Sequence, residues 1–312
     1  MAVSEGLVEQ HIHGCFGIDF MTCSADDIID AAKLLAEHGV TAFFPAVMTA
    51  ELSRIKERIS VIKKAAAVKP GKWAQIAGIH LEGPFINPEK AGIHQKEFLQ
   101  PLDIDIYKQI EDETVKIITL APELDTKGSF IKYLKKKGVK ISAGHTVSTD
   151  LSKVQQAAHL YNAMGAFHHR NPSTALSALL NDEIYTEIIA DSMHVSDDAM
   201  RLAFKLKPAD KILLISDALP LAGSEKTECI FAGQKIYKKE GRLASNEGTL
   251  AGSSMLLYEM VKNLADKGIL SFSAAIRAAS SNPLKYHNLK NRLKVHWNKK
   301  NEIEAAEFLP FN

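Results

Sequence analysis

Short apolar runs alternate along this chain with longer segments in which apolar residues recur at helical spacing. Runs such as residues 40–44 and 115–120 predict buried strands, whereas residues 25–37 predict an amphipathic helix that ends at Gly39. Eight strands separated mostly by helices predict parallel pairing, because parallel neighbours need a long crossover connection. The count favours a (β/α)8 TIM barrel, an α/β fold, over an open sheet.

The predicted strands and helices follow one another along most of the chain. Strands are expected at residues 7–13, 40–44, 75–82, 115–120, 139–143, 158–162, 187–191 and 211–217. Helices are expected at residues 25–37, 51–67, 104–111, 127–137, 253–265 and 273–280. Only residues 146–158 separate His145 from His159, which is close to the minimum of about 10–12 residues for a crossover with its helix. We therefore expect the fifth helix to be short.

Changes in this pattern divide the chain into four predicted regions. Residues 1–225 form a TIM-barrel catalytic domain. Residues 226–245 hold short apolar triplets separated by turn residues, which predict a small β insertion of two or three antiparallel strands after the eighth barrel strand. Residues 246–284 supply helices that close the barrel, and residues 285–312 form a basic C-terminal tail to which we assign no role.

Composition and charge exclude several classes of protein. The net charge of +1 argues against a nucleic-acid or acidic-membrane surface. Three cysteines, an odd number without zinc-knuckle spacing, fit a reducing compartment better than a disulfide framework. The sequence does not open with the basic and then apolar segments of a secretory signal peptide. No apolar run approaches the length of about 20 residues that a membrane span needs. We therefore expect a soluble, cytoplasmic protein.

Side chains that can bind a metal stand at the predicted C-terminal ends of several strands. Side chains alternate along a strand, so residues two apart share a face, as His11 and His13 do. Active sites of barrel enzymes lie at this end of the strands. The residues concerned are His11, His13, Glu82, His145 and Asp217, and the sixth predicted strand carries His159. Four imidazoles and two carboxylates are typical ligands of zinc, iron or manganese, and they suffice for one or two ions.

Each of these residues also has an explanation without a metal. A lone inward histidine is more often a hydrogen-bonded core residue than a ligand, and Glu82 alone is better explained by a buried salt bridge. Their convergence on one barrel end favours the metal site. His80 shares the face of Glu82 one layer deeper, so a supporting or core role is expected. His38, His287 and His296 lie away from the strand ends and are expected to be surface or packing residues.

Seven short blocks of the sequence resemble one protein family. The blocks are residues 80–85, 92–94, 144–146, 159–164, 190–195, 216–218 and 250–253. Together they resemble the N-acetylglucosamine-6-phosphate deacetylases of the amidohydrolase superfamily, and the blocks around Glu82 and His159 distinguish this branch from other amidohydrolases. Many relatives carry a carbamylated lysine at the end of the fourth strand. Here that strand has Lys116 only near its start, which leaves Glu82 as the metal-bridging group by this resemblance.

The resemblance implies a role for each matching residue. Glu82, His145 and His159 would hold the principal metal, His11 and His13 would support a second ion, and Asp217 would be the catalytic aspartate. The substrate would contact Ile93, His94, Asn162, Ala163, Asp191, His194 and Leu250. Arg170 matches an arginine that in the family reaches the phosphate in the neighbouring subunit's site, so a homodimer is implied. The reaction would convert N-acetyl-D-glucosamine 6-phosphate to D-glucosamine 6-phosphate and acetate, a step of amino-sugar catabolism.

The residue types suit such a hydrolysis on chemical grounds. A bound divalent cation lowers the pKa of its water toward about 7 and so supplies a nucleophile that can attack an amide. Asp217 would accept the proton of the water and return it to the departing amine. His94 or His194 would polarise the carbonyl. Arg170 suits a phosphate because its planar guanidinium donates two hydrogen bonds, although a surface arginine in the run 168–170 is the alternative.

Two departures from the family keep other functions open. The family usually has a small β-domain built from both chain ends, whereas here the N-terminal part is expected to be missing and the C-terminal tail does not look rich in strands. The short fifth crossover lies between two proposed ligands. One alternative is therefore a related amidohydrolase that acts on another N-acyl amine or a cyclic amide. Another is a paralogue that binds a sugar phosphate without hydrolysing it.

Overall fold

Eight parallel strands close into a barrel within residues 2–69, 71–165 and 167–310, the part of the chain that this computed structural model describes. The strands pair in chain order, and the eighth meets the first where the amide of Asp217 donates to the carbonyl of His11 at 3.0 Å. The strands are Leu7–Ile12, Val40–Met48, Ile79–Glu82, Val115–Leu120, Lys140–Ala143, Gln156–Ala157, Tyr185–Ile189 and Ile212–Ile215. The predicted (β/α)8 TIM barrel is confirmed.

Helices cover the outside of the barrel. They are Ala25–Glu37, Leu52–Ala66, Ile104–Tyr107, Ser129–Lys136, Thr174–Leu180, Asp197–Leu206, Leu257–Asp266, Phe272–Ala279 and Ser281–His287. The first begins at a capping box, in which Ser24 and Asp27 satisfy each other's backbone amides. Its buried stripe, which includes Ile28 and Leu35, packs into the main hydrophobic core between the strands and the helices.

The fifth crossover differs from the prediction, because residues 144–155 contain no helix. Two buried apolar side chains, Leu151 and Val154, cover the barrel there instead. The backbone amide of Val147 donates to Glu123 at 2.9 Å, and the hydroxyl of Thr146 donates to the same carboxylate. These contacts hold the loop, so the expected short helix is wrong.

The sixth strand also lies earlier than predicted. It comprises Gln156–Ala157, and residues 158–162 are not a strand. His159, Tyr161 and Ala163 have φ values of 25°, 76° and 49°, in the left-handed region that a strand cannot use. The apolar character of this segment therefore belongs to a buried turn.

A small antiparallel sheet follows the eighth barrel strand, as predicted. Its strands are Glu228–Phe231, Gln234–Lys239 and Arg242–Ser245. Three of its side chains, Phe231, Ile236 and Leu243, are buried in a cluster with Leu219 and Leu221, the two leucines that follow the eighth strand. The β insertion is thereby anchored beside the C-terminal mouth of the barrel.

The tail is richer in strands than expected. Leu293–Trp297 pairs antiparallel with Ala2–Glu5 on one side and with Ile303–Phe308 on the other. Trp297 is fully buried, packs edge-on against Phe272 and donates its indole N–H to the hydroxyl of Ser4 at 2.9 Å. The buried residues Leu293, Val295 and Trp297 alternate with Lys294 and His296 on the other face of this strand. The expectation of a strand-poor tail is wrong, and the four-region division remains a prediction.

None of the helices in the described ranges is both long and apolar enough to span a membrane.

Candidate metal centre and substrate cavity

Glu82, His145 and His159 meet at the C-terminal end of the barrel. Glu82 is the last residue of the third strand, and each histidine follows its strand by two residues. The Nε2 atoms of His145 and His159 lie 3.3 Å and 3.1 Å from Glu82 Oε1, and 3.2 Å from each other. Positive φ values at both histidines turn their side chains back over the barrel axis, and all three residues are buried.

This arrangement fits a divalent cation. Two imidazole nitrogens and a carboxylate oxygen face one another here. Without a cation between them, at least two of these atoms would direct lone pairs at each other, which is repulsive. Metal–nitrogen distances of about 2.0–2.1 Å put tetrahedral ligands about 3.3 Å apart, close to the observed separations of 3.1–3.3 Å. The carbonyl of Lys90 accepts from Nδ1 of His145 at 2.7 Å, which leaves Nε2 of that ring free to bind metal.

A second group of ligand atoms lies on the other side of Glu82. His13 Nε2 is 3.0 Å from Asp217 Oδ1, and His11 Nε2 is 3.7 Å from the same oxygen. Glu82 reaches both groups, since Oε1 is 3.2 Å from His11 Nε2 and Oε2 is 3.4 Å from His13 Nε2. Its carboxylate therefore stands where a group bridging two ions would stand.

The electrostatics of the centre favour ionised carboxylates. Burial alone would raise the pKa of Glu82, but the charge of His11 and hydrogen bonds from the surrounding histidines hold it well below its usual range. Burial acts in the same direction on Asp217, and His11 and His13 together lower the pKa of that carboxyl to about 2. The centre thus presents negative charge to any cation that enters.

A cavity of about 370 Å³ opens directly above this centre. Its size lies at the lower end of the range of about 300–1,000 Å³ that is usual for small-molecule sites. Six of the eight predicted substrate contacts lie in its wall, together with His13, Glu82, His145, His159 and Asp217. The six are Ile93, His94, Asn162, Ala163, His194 and Leu250.

The other two predicted contacts lie outside the cavity wall. Asp191 is buried behind His194, and its Oδ2 lies 2.7 Å from Nδ1 of that ring, so it orients a cavity residue. Arg170 is exposed and does not line the cavity of its own chain. Its predicted role in a neighbouring subunit's site stays a prediction.

His94 lies closer to the metal centre than a substrate contact needs to be. Its Nε2 is 3.4 Å from Glu82 Oε2, and its Nδ1 is 2.8 Å from the hydroxyl of Thr49. Burial, together with the neighbouring His145, lowers the pKa of His94 to about 4, so the ring is neutral near pH 7. Thr49 was not predicted as a site residue because a threonine at the end of an apolar run resembles any strand residue.

Two further residues were missed by the sequence analysis. Lys90 is the only lysine or arginine among the described residues that line the cavity. It lies in the polar loop that follows the Glu82 block, where a lysine is common and does not by itself indicate a functional site. Glu187 is completely buried under the centre and touches His11, but in the sequence it is a single acid at the start of an apolar run.

Comparison with known proteins places the chain in a family. A scan against models of protein families finds no match. The chain is, however, 34% identical over 293 residues to an N-acetylglucosamine-6-phosphate deacetylase of Bacillus subtilis, a match that spans 90% of this chain and 74% of that protein. The chain belongs to the N-acetylglucosamine-6-phosphate deacetylase family. The resemblance noted from the short blocks is therefore confirmed.

Other deacetylases support this membership, and their names show that related proteins act on more than one sugar phosphate. An N-acetyl-D-glucosamine-6-phosphate deacetylase variant of Mycobacterium smegmatis, solved in complex with N-acetyl-D-glucosamine-6-phosphate, superimposes with a TM-score of 0.91 at 25% identity, covering 98% of this chain and 85% of that one. An N-acetylgalactosamine-6-phosphate deacetylase of Escherichia coli O157:H7 is 30% identical over 88% of this chain and 75% of its own length. The family thus includes proteins named for two epimeric sugars.

Proposed function

We propose that this protein is a metal-dependent deacetylase that hydrolyses N-acetyl-D-glucosamine 6-phosphate to D-glucosamine 6-phosphate and acetate. The observation that carries the proposal is the convergence of Glu82, His145 and His159, within 3.1–3.3 Å of one another, on the floor of a cavity that Asp217 also lines. Relatives named for this activity support the choice of substrate. Amino-sugar breakdown is the pathway that this reaction serves.

The metal site would be built from side chains at the ends of four barrel strands, the first, third, fifth and sixth. Glu82, His145 and His159 would hold the principal ion, and His11 and His13 a second one on the other side of Glu82. Nitrogen and oxygen ligands of this kind suit zinc, iron or manganese. When bound, such an ion lowers the pKa of a water molecule and supplies a nucleophile near neutral pH.

Asp217 is the residue best placed to move protons. Its backbone is fixed on both sides, because its amide donates to His11 and its carbonyl accepts from Ser253 at 2.9 Å. His11 and His13 lower the pKa of its carboxyl, so the group is ionised near pH 7 and has an oxygen lone pair available. It would accept a proton from the attacking water and return it to the departing amine. Without that return the amine would be a poor leaving group.

His194 is the better of the two histidines for the substrate carbonyl. Both rings line the cavity, but His94 is already engaged by Thr49 and Glu82. Nδ1 of His194 is bound by Asp191, which fixes the ring and leaves Nε2 for the substrate. A donor fixed before the reaction stabilises the developing oxyanion without reorganisation.

The phosphate would be held by cations that line the cavity or reach it from a neighbouring subunit. Lys90 supplies one from the same chain. Arg170 would supply a second from the neighbouring subunit of a homodimer, which explains why it lies outside its own cavity. A cytoplasmic location follows from the proposed substrate, because a charged sugar phosphate does not cross a lipid bilayer unaided.

An acetate-release assay on purified protein with measured metal content tests this function. Metal-loaded protein should release acetate from N-acetylglucosamine 6-phosphate, and Asp217→Asn should lower kcat about 10²–10⁴-fold with the principal ion retained. Unchanged turnover in Asp217→Asn would refute the mechanism. Bound metal without acetate release would favour the non-catalytic paralogue, and faster release from N-acetylgalactosamine 6-phosphate would change the sugar.

A further inference from the structure

Glu187 lies at the centre of a buried polar network beneath the metal centre. It belongs to the seventh barrel strand and is completely shielded from solvent. Its Oε1 accepts from the side-chain amides of Gln10 and Gln156 at 2.5 Å and 3.0 Å. Its Oε2 accepts from the backbone amide of His159 and from Nδ1 of His11, both at 3.2 Å. Four donors therefore converge on one carboxylate.

We infer that Glu187 is a positioning residue that holds the His11 ring with Nδ1 protonated, so that Nε2 is presented to the second ion site. The inference rests on the proposed function. Nδ1 of His11 is 3.2 Å from Glu187, and Nε2 of the same ring points to Glu82 Oε1 at 3.2 Å. A carboxylate behind a histidine fixes both the tautomer and the orientation of the ring, and this raises the affinity of the opposite nitrogen for metal.

Among the described residues, His80 is the ring that lies closest to His11, and it does not take over this role. His80 packs against it with ring centroids 4.3 Å apart, but the nitrogens of His80 already contact the carbonyl of Gln10 at 2.9 Å and the hydroxyl of Thr119 at 2.7 Å. For the same reason His80 cannot act as a metal ligand together with His11 and Glu187. Glu187 is thus the acceptor available to Nδ1.

Replacing Glu187 by glutamine isolates this effect because the two side chains have the same shape. All four groups that contact Glu187 are hydrogen-bond donors. In glutamine one of the two carboxylate oxygens becomes an NH₂ group, which then faces a donor and cannot accept from it. If it faces Nδ1, the His11 ring must change tautomer and place its proton on the nitrogen that would bind metal. We expect Glu187→Gln to weaken binding of the second ion about 10–100-fold. The principal site should be affected less, because Glu187 contacts the backbone amide of His159 and not its ring.

The matched control is Glu9→Gln. Glu9 is also buried in the barrel, and its carboxyl accepts from the backbone amides of His11 and Ser216, not from the His11 ring. The same isosteric change there should leave both affinities within threefold of wild type. The pair therefore separates a specific effect on the ring from general disturbance of the core.

The experiment is a zinc titration of the metal-free full-length protein against a competing chelator, with stoichiometry measured by elemental analysis. Two ions in wild type and selective loss of the weaker one in Glu187→Gln support the inference. Equal loss of both ions, the same loss in Glu9→Gln, unchanged binding in Glu187→Gln, or a single ion in wild type would overturn it. Acetate release by wild type is measured in parallel, and its failure would concern the proposed function alone.

A second measurement needs no variant and decides the matter if Glu187→Gln does not fold. Nitrogen-15 NMR of zinc-loaded wild type with labelled histidine reports which nitrogen of His11 carries a proton. A protonated, hydrogen-bonded Nδ1 supports the inference. An unprotonated Nδ1, or metal bound through that atom, would overturn it.

Discussion

Glu9 should make the stability of this protein depend on pH. This residue is 1% exposed, and burial raises the pKa of its carboxyl from 4.5 to about 8, against the lowering effect of hydrogen bonds from Ser216 and His11. In the unfolded chain the carboxyl releases its proton near pH 4.5, whereas in the folded protein it keeps the proton until about pH 8. The unfolded state therefore binds fewer protons between these values, and the free energy of unfolding falls as pH rises.

Glu9→Gln removes this titration without a change of shape. Each pH unit between the two pKa values corresponds to about 1.4 kcal/mol, so from pH 5 to pH 7 wild type should lose about 3 kcal/mol relative to the variant. Below pH 4.5 the difference in free energy of unfolding between wild type and Glu9→Gln should be constant. Carboxyls whose pKa is lowered, such as Glu187, make the free energy of unfolding rise with pH. Their effect is the same in wild type and in Glu9→Gln, so it cancels when the two proteins are compared.

Urea unfolding of both proteins in chelator, at a series of pH values, measures the difference. Glu97→Gln, which makes the same change at an exposed position, is the control and should give a curve parallel to wild type over this range. If the stabilities of wild type and Glu9→Gln also run parallel between pH 5 and pH 7, Glu9 is ionised in the folded protein and the reasoning is wrong.

Three further predictions follow from named contacts. Trp297→Ala should destabilise the protein by about 3–5 kcal/mol, since it removes a fully buried ring, whereas Trp297→Phe should cost less; chemical denaturation distinguishes them. Lys90→Met should raise KM for the sugar phosphate while leaving turnover of unphosphorylated N-acetylglucosamine unchanged, because only the phosphate needs the cation; an equal effect on both substrates would refute a phosphate contact. Arg170→Ala should likewise raise KM for phosphorylated substrates only, and mixing Arg170→Ala with Asp217→Asn protein should restore part of the activity if subunits share sites; no restoration on subunit exchange would contradict the shared site.

Local patterns predicted the barrel because several of its strands contain short apolar runs, such as Val40–Met48 and Ile212–Ile215. The same patterns placed Glu82 correctly at the end of its strand, since Gly83 and Pro84 stop the pairing there. They failed at residues 158–162, where an apolar composition reflects burial of a turn. They also failed in the tail, where Leu293, Val295 and Trp297 are buried and alternate with the polar residues Lys294 and His296.

The network under the metal centre could not be predicted in this way. The first strand has an irregular register between Glu9 and Ile12, and the neighbouring residues Gln10 and His11 both reach Glu187. Strict alternation would place them on opposite faces. The position of Lys90 in the cavity wall likewise depends on how a loop returns over the barrel mouth.

The sequence by itself determined which residue types end which strands, and hence the chemistry of metal-assisted hydrolysis. This works because strand ends and side-chain alternation depend on neighbours only a few residues away. Tertiary structure alone decided which acids support which imidazoles, as Glu187 supports His11 across 176 residues of chain. Those distances arise from the closure of the barrel, which no short stretch of sequence contains.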